Sequence, residues 1–351
     1  MLKFVLNRCG YGLLVLFGVV TLVFVLFNIL PGDPARMMLG QRADKESIEI
    51  INRDLGLDKP LFTQYLNYLN DLSPLSINSK EDLTKFIHYK VLFQAGDKQI
   101  ILKPPYLRRS YQSKRPVSDI LKEAFPNTIY LACVSIIFAF VIGVAFGSLA
   151  AVYKDTWIDK AILAISTLGM SLPSFFAAII IAWLFAFVLA DYTGLSMFGS
   201  LYSVDDMGNG EYLSLKNIIL PAITLGIRPL AVISELTKST VTDILQADYV
   251  RTARAKGLNN LQILWKHILK NALNPVVTAI SGWFASLLAG AVFVEYIFDW
   301  KGVGVVIVDG LEKYDFPVVM GALLIICVML VIINIITDIL YGVLDPRIRL
   351  K

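Results

Sequence analysis

Charge is scarce in this chain. Of its 351 residues only 17% are Asp, Glu, Lys or Arg, while 56% are hydrophobic. A soluble domain carries about a quarter charged residues, so an ordinary soluble globular protein is excluded. Histidine and cysteine are scarcer still. His88 and His267 have no companions at ligand spacing, so no metal site is expected. Cys9, Cys133 and Cys327 all fall inside apolar runs, where a small buried thiol is the usual explanation, and they carry no information on redox compartment. There is no Gly-x-x-x-x-Gly-Lys-Ser/Thr phosphate loop, no His-Glu-x-x-His pair, and no Ser/His/Asp set or carboxylate cluster within one segment. The chain is therefore not expected to be an enzyme, and no catalytic, cofactor-binding or metal residue is assigned. No aromatics interleave with its cytoplasmic basic residues to stack bases, so the net charge of +4 does not point to nucleic acid.

What is abundant is long apolar sequence. Six stretches are long enough to cross hydrocarbon, over 9–30, 127–153, 161–190, 218–234, 272–294 and 317–337, and only the fourth contains a charge. The first, about 33 Å of helix at 1.5 Å per residue, matches a bilayer core. Lys3 and Arg8 precede it as in a signal peptide, but the run is too long and lacks a small-x-small cleavage site, so a retained helix is expected. With the amino terminus inside, Lys3, Arg8, Lys154, Lys160, Lys238, Arg251, Arg254, Lys256, Lys266, Lys270, Arg347, Arg349 and Lys351 are cytoplasmic. The short outer loops then hold only Lys216, Lys301 and Lys313, which places both termini inside. The expected fold is an all-α, six-helix integral membrane protein of the cytoplasmic (inner) membrane, with a large outer loop between helices one and two.

The organisation reads as a cytoplasmic terminus and first helix over 1–30, an outer loop over 31–123, a membrane core over 124–341 and a cytoplasmic tail over 342–351. Pro31-Gly32-Asp33-Pro34 stops the first helix. Apolar residues from Ile48 to Leu69 predict short amphipathic helices broken at Pro60. Val91-Leu92-Phe93 and Gln99-Ile100-Ile101-Leu102 around Gly96-Asp97 read as a small hairpin or loose lobe within 73–106.

Between the fourth and fifth apolar runs lies a basic helix rich in small residues: Asp248, Tyr249, Val250, Arg251, Thr252, Ala253, Arg254, Ala255, Lys256, Gly257 and Leu258. Tyr249, Ala253 and Gly257 recur every four residues, so they share a face, and the last two leave it nearly bare for a partner's close approach. An amphipathic connector would show the same pattern. Pro173 kinks the third run; such kinks border pathways and also serve packing alone. Arg228 sits mid-span, where a cation costs roughly 2.5–3.5 kcal/mol unless it faces water or a partner. It either lines a path or pairs structurally. Glu235, seven residues on, lies on the same face about 10 Å away.

These runs resemble one family, the permease subunits of bacterial ATP-binding-cassette importers, in the oligopeptide/dipeptide branch. The segment 248–258 is similar to that branch's cytoplasmic coupling loop, with Ala253 and Gly257 at the family's Ala and Gly. His267-Ile-Leu-Lys-Asn-Ala-Leu-Asn-Pro275-Val-Val-Thr278, Leu220-Pro-Ala-Ile-Thr-Leu-Gly226, Asp338-Ile-Leu-Tyr-Gly-Val-Leu-Asp-Pro-Arg-Ile-Arg349, Leu30-Pro-Gly-Asp-Pro34 and Leu55-Gly-Leu-Asp-Lys-Pro60 also fit. The resemblance implies a type I importer permease core. Its partners would be a second permease, related or identical, two ATPase subunits that bind ATP and Mg, and an outer substrate-binding protein. It implies a peptide cargo, and a gate or binding-protein contact at Glu295, Tyr296, Asp299 and Trp300. The stretch 73–106 departs as an insertion, and Glu235 stands where a basic residue is common. Three other readings remain open: the same machinery moving a nickel complex or an oligosaccharide, an ion-driven secondary transporter, and a membrane sensor or scaffold.

Overall fold

The computed structural model describes residues 2–29, 45–79, 83–84, 86, 88–204 and 210–344. The turn expected at Pro31–Pro34 and most of the tail, 345–351, lie outside these. In chain order the elements are α1 (Leu2–Ile29), α2 (Lys45–Leu55), α3 (Leu61–Leu72), β1 (Leu75–Ser79), β2 (Lys90–Ala95), β3 (Lys98–Leu102), α4 (Val117–Val152), α5 (Trp157–Ser171) and α6 (Ser174–Trp183). Then follow β4 (Tyr202–Val204), β5 (Glu211–Leu213), α7 (Ile219–Leu245), α8 (Asp248–Ala255), α9 (Leu269–Gly290), α10 (Val292–Ile297), α11 (Val303–Glu312) and α12 (Phe316–Leu344).

Among the described residues four segments are long and apolar enough to cross a membrane: Asn7–Phe27, Val117–Val152, Leu215–Leu245 and Phe316–Ile339. The third apolar run is not one kinked span as expected. It breaks at Leu172–Pro173 into two helices bent by 114°, and counting that pair as one broken span brings the total to five. The cause is local. Proline cannot donate to the preceding turn and pushes the residue before it out of the α region. Leu172 is accordingly extended (φ −75°, ψ 130°) and its N–H closes the first helix on the Leu168 carbonyl. The apolar part of α9, Pro275–Leu288, is shorter than a full crossing.

The chain divides into two compact units. One comprises Gly10–Ala124 and Val306–Val328. In it Phe24 of α1 packs with Tyr68 of α3 and Leu324 of α12. The hairpin expected around Gly96-Asp97 is present as β2–β3, with Gly96 at φ 60°, and β1 joins it in the order β1-β3-β2. The all-α expectation therefore holds for the membrane part, and this sheet and the β4–β5 pair are additions to it. The three-stranded sheet is inverted for a water-facing lobe. Ser76, Asn78, Gln99 and Ile101 are covered, while Leu75, Ile77, Phe93, Ile100 and Leu102 are exposed.

The other unit comprises Met1–Cys9, Phe125–Val305 and Met329–Lys351. Its core joins Leu131, Ala178, Leu220, Leu288, Phe298 and Trp300. Glycines set the closest helix approach. A Cβ on Gly147 of α4 would lie 2.4 Å from the Ser234 carbonyl of α7, and one on Gly143 would lie 2.8 Å from Ile233 Cγ2. Gly226 of α7 reciprocates against Ser135 of α4. Small residues four apart let two membrane helices touch backbone to side chain. A salt bridge from Lys238 to the largely buried Asp159 (2.5 Å) ties α5 to α7.

Candidate functional site

The basic helix forms where the sequence places it, as α8, with Asp248 in the first turn favoured by the helix dipole. Its packing differs from the expectation. Ala253 does not offer a bare outer face: with Val250 it is buried against Val241, Ile263, Ile268, Leu269 and Ala272. Gly257 lies beyond the helix in the left-handed region, at φ 82°. The Gly257 N–H donates to the Arg254 carbonyl (2.9 Å) and the Leu258 N–H to that of Ala253 (3.3 Å), the double bond pattern of a glycine C-cap. Leu258 packs on the same cluster. The exposed side is instead Asp248, Arg251, Thr252, Arg254, Ala255 and Lys256. Thr252 and Ala255 form a low patch there, flanked by the two arginines. Asp248 and Arg251 pair at 3.6 Å, but both are almost fully solvated, so that bond adds little rigidity. Tyr249 is anchored to the next segment, its hydroxyl accepting from Asn271 Nδ2 at 3.3 Å.

On α7, Arg228 and Glu235 are both exposed, while Leu225, Pro229, Leu230, Ile233 and Ser234 are buried. Seven residues apart on one face, with Ser239 and Gln246 exposed along it, they form a polar stripe that none of the described residues covers. Among the described residues neither carries an ion pair within 4 Å. Such a face is costly against lipid and suits water or another subunit. Pro173 is exposed at the break between α5 and α6.

The outer-loop residues divide. Tyr296 and Asp299 are exposed, whereas Glu295 and Trp300 are fully buried and cannot meet a partner directly, which corrects the expectation for that pair. Trp300 Nε1 donates to the Asn127 carbonyl (2.9 Å), Asn127 Nδ2 to the Lys301 carbonyl (2.8 Å), and the Val303 N–H to Thr128 Oγ1 (2.9 Å). The loop is thereby pinned to α4. Glu295 Oε2 accepts from the Gly304 N–H at 2.6 Å. A Cβ on Gly302 or Gly304 would come within 2.4 Å or 2.7 Å of that oxygen, so the two glycines make room for the carboxyl.

Burial pushes the Glu295 carboxyl up to about 7, against the opposing influence of the Thr128 hydroxyl and the Gly304 N–H. The folded state therefore keeps a proton that the unfolded chain releases near 4.5. Stability falls as pH rises from about 4.5 to about 7 and levels off above. Thermal unfolding of the purified protein should give a lower Tm at pH 8 than at pH 5. Glu295→Gln should flatten that difference, and an unchanged slope in the variant would remove Glu295 as its source.

Crossing helices, a bent helix pair and an exposed polar stripe on α7 define an integral membrane protein. The chain belongs to the family of binding-protein-dependent transport system inner membrane components, whose description matches residues 143–350, with the N-terminal region of the same family matching 1–132. It is thus a multi-pass inner-membrane permease of the ABC-importer class, a transport component and not an enzyme. It is 34% identical to the di/tripeptide transport system permease protein DppB of Pseudomonas aeruginosa, over 99% of both chains. It is also 34% identical to the glutathione transport system permease protein GsiC of Escherichia coli O6:H1, over the full length of both. A solved structure of the MetNI methionine ABC transporter is similar in fold, with TM-score 0.51 and 18% identity over 64% of this chain and 96% of that one.

Proposed function

We propose that this chain forms half of the membrane path of an ATP-driven peptide importer. The observation that carries the reading is end-to-end similarity to two permeases named for short peptides, since glutathione is itself a tripeptide. The chain would pair with a second permease, a related one or another copy. Two ATPase subunits, holding the ATP and Mg, would grip the exposed face of α8 around Thr252 and Ala255. ATP-driven closure would move α8, and α7 with it through their shared core of Val241, Val250 and Ala253. An outer binding protein would deliver the peptide near Tyr296 and Asp299. Both termini would be cytoplasmic, as the loop charges require.

The polar stripe of α7 would line the path, with Arg228 meeting the peptide's carboxylate as a charge-assisted partner. Uptake of a labelled dipeptide by cells carrying the transporter tests this. Competition by unlabelled di- and tripeptides supports the reading; competition by nickel complexes or oligosaccharides alone would overturn it. Arg228→Ala should raise the KM for peptide about tenfold or more without lowering the amount of chain in the membrane. Unchanged kinetics with reduced membrane levels would mark Arg228 as structural.

A further inference from the structure

The helix α3, in the loop after the first span, is used by neither the path nor the coupling face. It does not stand free in the outer water. Its Tyr65 hydroxyl bonds Thr21 Oγ1 at 2.6 Å, and Phe24 of α1 lies 5.2 Å from the Tyr65 ring and 5.7 Å from the Tyr68 ring. Thr21 belongs to the membrane-crossing stretch Asn7–Phe27, six residues from its end. At 1.5 Å per residue that is about 9 Å inside the apolar segment. So α3 runs beside the last turns of a helix long and apolar enough to cross a membrane.

The faces of α3 fit that position. Tyr65, Tyr68 and Leu72 turn to α1 and its neighbours. The polar side carries Asn67 toward solvent, while Asn70 bonds the Ile77 backbone of β1 and Asp71 pairs with Arg108 at 2.9 Å. On the remaining side, next to Tyr65 in the helical order, Phe62 is 71% and Leu66 48% exposed, with Leu61 at the helix start also uncovered. On α1 itself Leu22, Val25 and Leu26 are exposed, as a lipid-facing helix requires.

We propose that α3 is an interfacial helix, and that Phe62 and Leu66 are seated in the acyl boundary of the leaflet at the Phe27 end of α1. The bilayer is the partner that completes the surface. The proposal rests on α1 crossing the membrane, and makes α3 a brace that holds the 73–106 lobe at a set height above the lipid.

The test uses the full-length chain, with the subunits that co-purify, in phosphatidylethanolamine/phosphatidylglycerol vesicles. Cys9, Cys133 and Cys327 are replaced by alanine, and a bimane label is placed by Phe62→Cys, Leu66→Cys, Asn67→Cys or Phe17→Cys. Labels at 62 and 66 should lose at least half their fluorescence to shallow doxyl lipids and resist iodide, with the label at 67 behaving oppositely. Equal iodide access at 62, 66 and 67 without lipid quenching overturns the interfacial helix. Phe17, exposed mid-span, is the separate check: if its label escapes deep doxyl lipids, the crossing of α1 fails and the proposal with it. Iodide protection at 62 and 66 without doxyl quenching would assign the strip to a protein partner and overturn the proposal.

Discussion

Gly257→Trp should lower uptake at least tenfold while leaving the chain inserted. Two effects combine at this position, and they separate experimentally. The first is backbone strain: at φ 82° any L side chain pays about 1–2 kcal/mol, less for Asn, which visits this region more readily. The second is bulk. A Cβ on Gly257 meets nothing within 4 Å among the described residues, so an indole there has open space to occupy, where an ATPase groove would close on α8. Strain alone frays the end of a short helix; bulk alone blocks a partner. Gly257→Asn should therefore retain most of the uptake, and Gly257→Trp should lower it at least tenfold and lose the ATPases on purification. Transport at the normal rate by the tryptophan variant would end the coupling assignment for α8.

Gly304→Val is expected to have the largest effect on folding. A Cβ at this position would lie 2.5 Å from Val292 Cα, 3.0 Å from the Val292 carbonyl oxygen and 2.7 Å from Glu295 Oε2. Two of these neighbours are backbone, which cannot rotate away as a side chain can. Overpacking a close-packed site costs about 1–3 kcal/mol where neighbours yield, and more where they do not. The segment from Glu295 to Gly304 would lose its seat on α4, including the Trp300 bond to Asn127 and the Val303 bond to Thr128. The amount of full-length chain in membranes should fall several-fold, with a lowered Tm in what remains. Gly302→Ala should be milder, because it meets only the end of the Glu295 side chain. Wild-type abundance and Tm for Gly304→Val would contradict the buried-loop account.

The physics of each segment explains how far the sequence could be read. Apolar length alone located α1, α4 and α12, because a crossing helix needs little more than an uncharged run. The β2–β3 hairpin was legible from Gly96-Asp97 between β-rich strands. β1 was not, because Ser76 and Asn78 on its covered face are polar and its exposed face is apolar, the reverse of the pattern that marks a strand in water. The orientation of α8 was misread for a related reason. The four-residue series Tyr249, Ala253, Gly257 is real, but in so short a helix the inward direction is set by Val250 together with Ala253, and Gly257 ends the helix. A bend of 114° was beyond reach, since Pro173 allows a kink or a complete break and tertiary packing decides between them. Two signals were present and unread. Gly143 and Gly147, four apart in an apolar helix, mark the contact with α7. Gly302 and Gly304, a close glycine pair just after Asp299-Trp300, mark a site where a carboxyl is tucked against backbone.

The central claim is that this permease is driven by ATPases gripping α8. Mass spectrometry of what co-purifies with the tagged chain from gently solubilised membranes, followed by peptide uptake after reconstitution, tests it most directly. Recovery of ATPase subunits and a second permease, with uptake that requires ATP, is the predicted result. A chain that purifies alone and still imports peptide without ATP would contradict it and leave an ion gradient as the driving force.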